Sequence, residues 1–393
     1  MSVAAGFSSS FFIDESDKVW ACGPNAVLQR PTKNKIGVWS RFSSILNKKE
    51  KVVFSNNTGS ISQFARLEEL SDIFAVSSGS NHHLILNEEG TVWSYGPLSC
   101  WPPQNVNSRL GRDGYARVPH IIPNLPPIEA VSASLANHSL YLDFDGRVWA
   151  TGANEAGQVA TSGCSLEQPT IIDDIPQIKS VATGTHHSVF LDINGTPWAC
   201  GNNTSGQLGL GDFQGRNKPT RIENLPPILA VSCGTEHTIF LAEDGSVWGT
   251  GNNRVGQLGK IKSSSTSTVI ENIPFIQMTA VGLDFSFFLD ETGCVWACGS
   301  NGQGQLGLSD MSVRSVFQPC QIVQSQSMQN IAAGARHSLF VDVEGTLWCC
   351  GDNTNNIFGI TTHKHVHLLQ KIEDVPRIRM NCQHRSVKSA RMV

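Results

Sequence analysis

Five histidines recur at one spacing. His82, His138, His187, His237 and His337 each stand eleven residues before a tryptophan. Imidazoles repeated in this way suit metal ligation or proton transfer. A second group, His363, His365 and His367, alternates along 361–369. In a strand these three share one face, a spacing that can ligate zinc. The plainer reading of the trio is a solvated outer edge. The plainer reading of the five is structural: a His in the same slot of every copy bonds backbone and fixes a turn, as buried polar groups are normally satisfied. Cys382 and His384 lie near the trio in sequence only. The glycine-rich stretches do not read as phosphate loops, because no Gly-Lys-Ser/Thr follows them and no helix start offers its amides. Little in the chain looks catalytic, and no cofactor is expected.

The elements that position these residues follow from one stretch, 231–259 (VSCGTEHTIFLAEDGSVWGTGNNRVGQLG). Residues 238–242 (TIFLA) are too short for a helix and rich in β-branched and aromatic side chains, which reads as a strand buried on both faces. Glu243-Asp244-Gly245 is a turn in which Gly245 can take positive φ. Residues 246–250 return as the second strand of a hairpin. Near-copies recur along the chain. Trp20, Trp93, Trp149, Trp198, Trp248, Trp296 and Trp348 mark seven of them, 48 to 73 residues apart. Gly follows each Trp by three residues. Gly precedes it by three in six copies, with Asp17 as the exception. A fixed period near 50 residues, carried by strands and turns, means a propeller or an array.

Composition agrees. Only 16% of the 393 residues are charged, and 36 are Gly. Net charge is −4, against a chain built mainly to coat nucleic acid. No stretch approaches the roughly 20 apolar residues of a membrane helix. Residues 1–18 lack a basic start, carry Asp14 and Glu15, and align with the repeat, so they do not read as a signal peptide. Cys22, Cys200, Cys298 and Cys350 all sit two residues after a Trp, where Thr151, Thr250 and Tyr95 stand in other copies. Cysteines at one height in different blades are too far apart to bridge, so the chain is expected to be reduced and intracellular, cytoplasmic or nuclear.

The expected fold is therefore all-β, a single seven-bladed propeller over 1–393. Its blades cover about 2–70, 73–124, 128–174, 178–225, 228–273, 276–326 and 331–375. Two insertions interrupt it, 24–70 and 97–118, and residues 52–54 and 61–64 could be extra edge strands. Blade 3 has Leu135 where others have Gly. Residues 260–268 (KIKSSSTST) read as a mobile loop. A Pro-Ile or Pro-x-Ile junction precedes most blades, and one more, Pro376-Arg377-Ile378, has no hairpin behind it. Residues 376–388 are expected to close the ring by supplying what blade 1 lacks, which removes exposed strand edges.

His-Ser/Thr, the turn Gly, Val-Trp-x-x-Gly-x-Asn and Gly-Gln-Leu-Gly together resemble the regulator of chromosome condensation repeat. Gly-Gln-Leu-Gly is intact at 206–209, 256–259 and 304–307, and degraded at 157–160 and 356–359. The resemblance covers nearly the whole chain and implies a seven-bladed propeller of four-stranded blades. It also implies a choice of roles. The family's founding members exchange guanine nucleotide on a small Ran-like GTPase, meeting it with acidic side chains on the turn before the repeated His. The matching slots here are Ser8, Asn81, Asn137, His186, Glu236, Asp284 and Arg336, of which only Glu236 and Asp284 are acidic. The exchange factors also carry a wedge in the third blade, and the loop here, 161–168, looks too short. Their basic tail ahead of blade 1 has no counterpart in this sequence. The related plant ultraviolet-B receptors place Trp in Gly-Trp-Arg-His-Thr, where this chain has Gly-Thr-Glu-His-Thr (234–238) and Gly-Ala-Arg-His-Ser (334–338).

The insertions are the better candidates for binding, because a rigid scaffold presents function through its loops. Trp101 and Tyr115 stand among Arg109, Arg112 and Arg117, residue types enriched at interface hot spots. The alternative is that Trp101 only pins its own loop. The first insertion carries a basic run that includes Lys48, Lys49 and Lys51. It suits an acidic protein partner, an anionic surface or nucleic acid, and a solvated loop is the plain alternative. Two expectations follow: a non-catalytic adaptor, regulator or assembly subunit that binds protein through rim loops, or a guanine-nucleotide exchange factor.

Overall fold

A computed structural model describes residues 3–23, 65–67, 70, 72–80, 82–96, 119–161, 163–259, 262–308, 315–322, 326–360 and 364–379. The described strands form seven four-stranded antiparallel sheets, each made of four consecutive strands, and no described residue is helical. Blade 4 shows the pattern: Ile178–Thr183 innermost, then His187–Asp192, Pro197–Gly201 and, outermost, Arg216–Arg221. The innermost strands touch their neighbours in sequence around the axis, and Met328–Ala333 of blade 7 meets Val3–Ala5 of blade 1. The ring is closed.

Among the described residues there is no central core. Seven hydrophobic clusters lie one at each junction between blades, because each sheet can bury its two faces only against its neighbours. The second strand of each blade supplies the large side chain of its junction. Phe12 packs into the cluster of blade 7, and Ile85 into that of blade 1. Tyr141, Phe190 and Phe240 pack into those of blades 2, 3 and 4, and Phe288 and Phe340 into those of blades 5 and 6. All seven are fully buried, at about 2–3 kcal/mol each for a Phe-sized group. This explains why the second strand is buried throughout, with no alternation.

The tryptophans that mark the repeat are only half-buried. Their Nε1–H donates to the carboxylate six residues earlier: Trp20 to Asp14 (2.7 Å), Trp149 to Asp143 (3.0 Å), Trp198 to Asp192 (3.2 Å), Trp296 to Asp290 (3.0 Å) and Trp348 to Asp342 (2.8 Å). The other carboxylate oxygen accepts two backbone N–H groups of the turn, as Asp192 does from Asn194 and Thr196. Blade 5 has Ala242 in that slot, and there Trp248 donates to Ser246 Oγ instead.

Closure depends on Ile378. Its N–H donates to Gly345 O (2.9 Å), as Ile228 N–H donates to Gly195 O (2.9 Å) at an ordinary junction. It also bridges to Asp14, as Ile228 pairs with Ala242. Ile378 therefore begins the innermost strand of blade 1 from the other end of the chain. Arg379 continues the closure. Its N–H donates to Ile13 O (2.9 Å), and its guanidinium reaches Asp17 Oδ1 (2.5 Å), Ile73 O (2.8 Å) and Phe74 O (2.6 Å). Asp17 takes a positive φ, 57°, where Gly takes 77–84° in the other turns.

Two sequence expectations need correction. Residues 264–268, read as part of a mobile loop over 260–268, belong to the outermost strand of blade 5, Ser264–Val269. An outermost strand pairs on one side and buries little, so an all-polar Ser/Thr run satisfies it. Leu135 does not occupy the glycine slot. The turn of blade 3 is one residue longer, and Ser134 takes the slot: its N–H donates to His138 O (3.0 Å), as Gly184 N–H donates to His187 O (2.8 Å).

Candidate functional site

The five repeated histidines lie at the start of each second strand and are fully buried. They were expected to fix their own turns through backbone. Instead each Nε2 meets a hydroxyl of the following blade: His82 with Ser139 (2.9 Å), His138 with Ser188 (3.0 Å), His187 with Thr238 (3.0 Å), His237 with Ser286 (3.2 Å) and His337 with Ser10 (3.3 Å). The hydroxyls of Ser188, Thr238 and Ser286 donate to the carbonyls of Gln158, Gln207 and Gln257 (2.7, 2.8 and 2.7 Å). They must therefore accept from the imidazoles, which fixes the proton on Nε2. Burial lowers His138, His187 and His237 to about 3, helped by neighbouring histidines, and lowers His337 to about 4. These rings are neutral at pH 7 and serve as ties between blades.

The Gly-Gln-Leu-Gly loops complete the tie. Asn203 Oδ1 accepts Leu208 N–H (2.9 Å), and Gln207 Oε1 accepts Ser205 N–H (2.9 Å), so the loop braces itself. Its carbonyls then receive the next blade. Cys200, Cys298 and Cys350 donate Sγ–H to Gln158, Gln257 and Gln305, and Cys22 donates to Asn356. Thr250 Oγ1 donates to Gly206 O (2.9 Å). The slot accepts Cys or Thr because it needs a small side chain with one donor. The nine described cysteines are unbridged.

The turns that precede the histidines meet around the axis and form a collar at one end of the ring. Phe7 N–H donates to Gly79 O (3.2 Å), Thr185 N–H to Gly234 O (3.3 Å), Thr235 N–H to Leu283 O (3.1 Å) and Ala335 N–H to Gly6 O (3.0 Å). Gly234 is required at one of these contacts: a Cβ on it would sit 2.2 Å from His237 Cε1 and 2.8 Å from Gly282 O. Ser8, Asn137, His186, Glu236, Asp284 and Arg336 all stand on the collar, and Asn81 lies outside the described residues. Glu236 Oε2 accepts Ser205 Oγ–H and Asn252 Nδ2–H, both at 2.9 Å. Burial raises the Asp284 carboxyl, the Glu236 charge raises it further, and Arg336 opposes the rise. Glu236, Asp284 and Arg336 thus form one electrostatic neighbourhood across blades 5, 6 and 7.

The remaining candidates divide. Trp101, Arg109, Arg112, Tyr115, Arg117, Lys48, Lys49 and Lys51 lie outside the described residues, as do His363 and residues 52–54 and 61–64. His365 and His367 do lie on one strand, His365–Lys371, with ring centroids 6.1 Å apart. His365 Nδ1 is 3.7 Å from Asp352 Oδ1. Among the described residues no three His, Cys, Asp or Glu side chains are grouped to hold a metal, and no helix is long and apolar enough to cross a membrane. Charge is unevenly placed. The described residues carry fourteen Lys/Arg and twenty-eight Asp/Glu, whereas 24–64, 97–118 and 380–393 together carry thirteen Lys/Arg and two Asp/Glu.

Sequence reasoning missed the aspartates before the Trp, and it missed the roles of two features it had noted or left in the tail: the hydroxyl of the His-Ser/Thr pair and Arg379. The Asp six positions before Trp recurs in five blades and was open to the same alignment that found the glycines. The hydroxyl after the His slot recurs in every blade but the second, where His83 stands. Arg379 had no such signal, since it occurs once.

Fold and contacts define a closed seven-bladed propeller whose repeated polar side chains join blade to blade. Family models described as the regulator of chromosome condensation (RCC1) repeat match residues 145–191, 194–241 and 292–341, and, in a second form, 128–158, 178–207, 228–257, 277–305 and 329–357. The chain belongs to this family. Protein pim1 of Schizosaccharomyces pombe is 27% identical over 168 residues, which is 40% of this chain and 28% of that protein, so the match spans under a third of that relative's length. Human WBSCR16 superposes with a TM-score of 0.69 at 20% identity, over 79% of this chain and 83% of that one. Saccharomyces cerevisiae Prp20p, described with its binding to Gsp1p and histones, superposes with a TM-score of 0.67 at 23% identity, over 77% of each chain. These structural likenesses are likenesses of fold.

Proposed function

We propose that the chain is a non-catalytic binding propeller, an adaptor, regulator or subunit of a larger assembly, which recognises a protein partner through its insertions 24–70 and 97–118. The observation that carries this reading is the engagement of the repeated side chains. The His, Asp, Trp, Cys and Gln of the repeat bond one blade to another or brace a turn, which leaves the non-repeated segments to recognise anything. Those segments combine Trp101 and Tyr115 with arginines and Lys48, Lys49 and Lys51, a chemistry suited to an acidic protein surface. Free cysteines buried between blades suit a reducing compartment, cytoplasmic or nuclear. The test replaces Trp101, Arg112 and Tyr115 together with Ala. The melting temperature should change by no more than about 2 °C, while a partner that co-purifies with the wild type is lost. Retention of that partner would count against the reading.

A second reading has one specific observation in its favour. Glu236 and Asp284 sit on adjacent blades of the collar, close enough for one carboxylate to raise the other. An acidic pair at that end is what an exchange factor for a Ran-like GTPase would present. Under it, the chain would speed GDP release, and Glu236→Ala with Asp284→Ala would slow that release at least tenfold.

A further inference from the structure

The end of the ring opposite the collar carries exposed apolar side chains in an order that the fold imposes. At this end lie the hairpin turns and the starts of the innermost strands. Each innermost strand from blade 2 to blade 7 begins with a bulge, where the register slips after its first residue. A bulge re-aims the extra side chain. Phe144 and Ile193 are turn tips of blades 3 and 4, Leu229 is the bulge residue of blade 5, and Phe275 precedes blade 6. Each is about half exposed, between 49% and 55%.

Backbone bonds tie the segments that carry these four into one row. Phe144 and Gly146 belong to one turn, and Gly146 O accepts Ile178 N–H (2.9 Å). Ile193 N–H donates to Gln177 O (3.1 Å), beside that contact. Gly195 O then accepts Ile228 N–H (2.9 Å), next to Leu229. Glu243 N–H donates to Pro227 O (3.0 Å), and the Phe275 ring lies over Gly245 of the same turn, where a Cβ would come within 2.3 Å of it. The four side chains are therefore carried, one per blade, on neighbouring turns and strand starts at this end of blades 3 to 6. Acids border the row. Glu243 and Asp244 stand between Leu229 and Phe275, Glu291 caps the next turn, and none of the three is in a described ion pair. Lys179 is the basic residue at the corresponding bulge of blade 4.

We infer that this row is a second docking surface, and that its occupant is a segment of another protein bearing Arg or Lys around large apolar anchors. Charge complementarity selects that occupant: carboxylates beside exposed apolar groups attract a basic partner and reject an acidic one. The surface uses no residue of the insertions and lies at the end opposite the collar, so it would survive the failure of either reading above.

The test places the photo-cross-linker p-benzoylphenylalanine at Phe144 in the full chain, expressed in cells, with Ile121 and Phe317 on outermost strands as control positions. The inference expects a cross-link at Phe144 at least fivefold above both controls. The captured segment should be rich in Lys/Arg and contain Leu, Met or an aromatic residue. Its yield should fall at least tenfold when Glu243→Lys and Asp244→Lys are combined, and also when Leu229→Ser and Phe275→Ser are combined, with each double variant melting within about 3 °C of the parent. A yield equal to the controls overturns the inference. So does capture of an acidic segment, of this chain's own residues 380–393, or of a second copy of the chain. If either pair of substitutions unfolds the protein, Glu291→Lys and Ile193→Ser serve instead, and capture that neither weakens overturns the inference.

Discussion

At the scale of single residues, the histidines show how a group able to do chemistry is retired from it. His187 is buried, neutral and proton-bearing on Nε2, and its hydrogen bond crosses a blade junction. Its folded-state value of about 3 lies below the roughly 6.5 of an unfolded His. The unfolded chain therefore binds a proton that the folded chain refuses. Stability from this site is complete above about pH 6.5 and is lost progressively as pH falls towards 3, by about 2 kcal/mol at pH 5. Blade 6 supplies the natural control, because Phe285 occupies the same slot and its ring presses on Gly282 as His187 presses on Gly184. His187→Phe should cost about 1 kcal/mol at pH 8, the worth of one hydrogen bond, and should match or exceed the wild type at pH 5. Chemical denaturation at the two pH values checks this. Equal losses at both would refute a neutral buried imidazole.

At the scale of elements, what was legible depended on repetition. The second and third strands of each blade were readable because seven copies share the Trp, the flanking glycines and an apolar run. The outermost strands were not, because a strand paired on one side carries no burial pattern. Arg216–Arg221 and Ser264–Val269 hold no large apolar residue except Val269. Closure was readable from Pro376-Arg377-Ile378, since that junction is itself repeated. The role of Arg379 was not, because its partners Asp17, Ile73 and Phe74 are brought together only by the finished ring. The candidate binding residues were legible only as residue types, since Trp101 or Lys48 occurs in no second copy against which to align it. The closure makes a prediction at this scale. Arg379→Ala should lower stability by about 2–3 kcal/mol, because it leaves backbone carbonyls at the junction of blades 1 and 2 without a charged donor. Hydrogen exchange should quicken in blade 1 and the start of blade 2 before it does in blades 4 and 5. A uniform change around the ring would show that Arg379 is not a local latch.

At the scale of the whole molecule, the described residues form a ring with seven junction cores and no central one, which is rigid by repetition. Its shape is set without the insertions, which are then free to carry recognition. The described body is acidic and the segments outside it are basic. The sequence thus divides its charge, negative in the described body and positive in the segments outside it. The two roles open to such a chain differ in whether it changes a partner's chemistry or only holds it. Release of labelled GDP from a Ran-type GTPase, followed with this protein at catalytic amounts, separates them most directly. A binding propeller leaves the release rate at its intrinsic value, within about twofold. An acceleration of a hundredfold or more, abolished by Glu236→Ala and Asp284→Ala, would contradict the account and make the collar the working end.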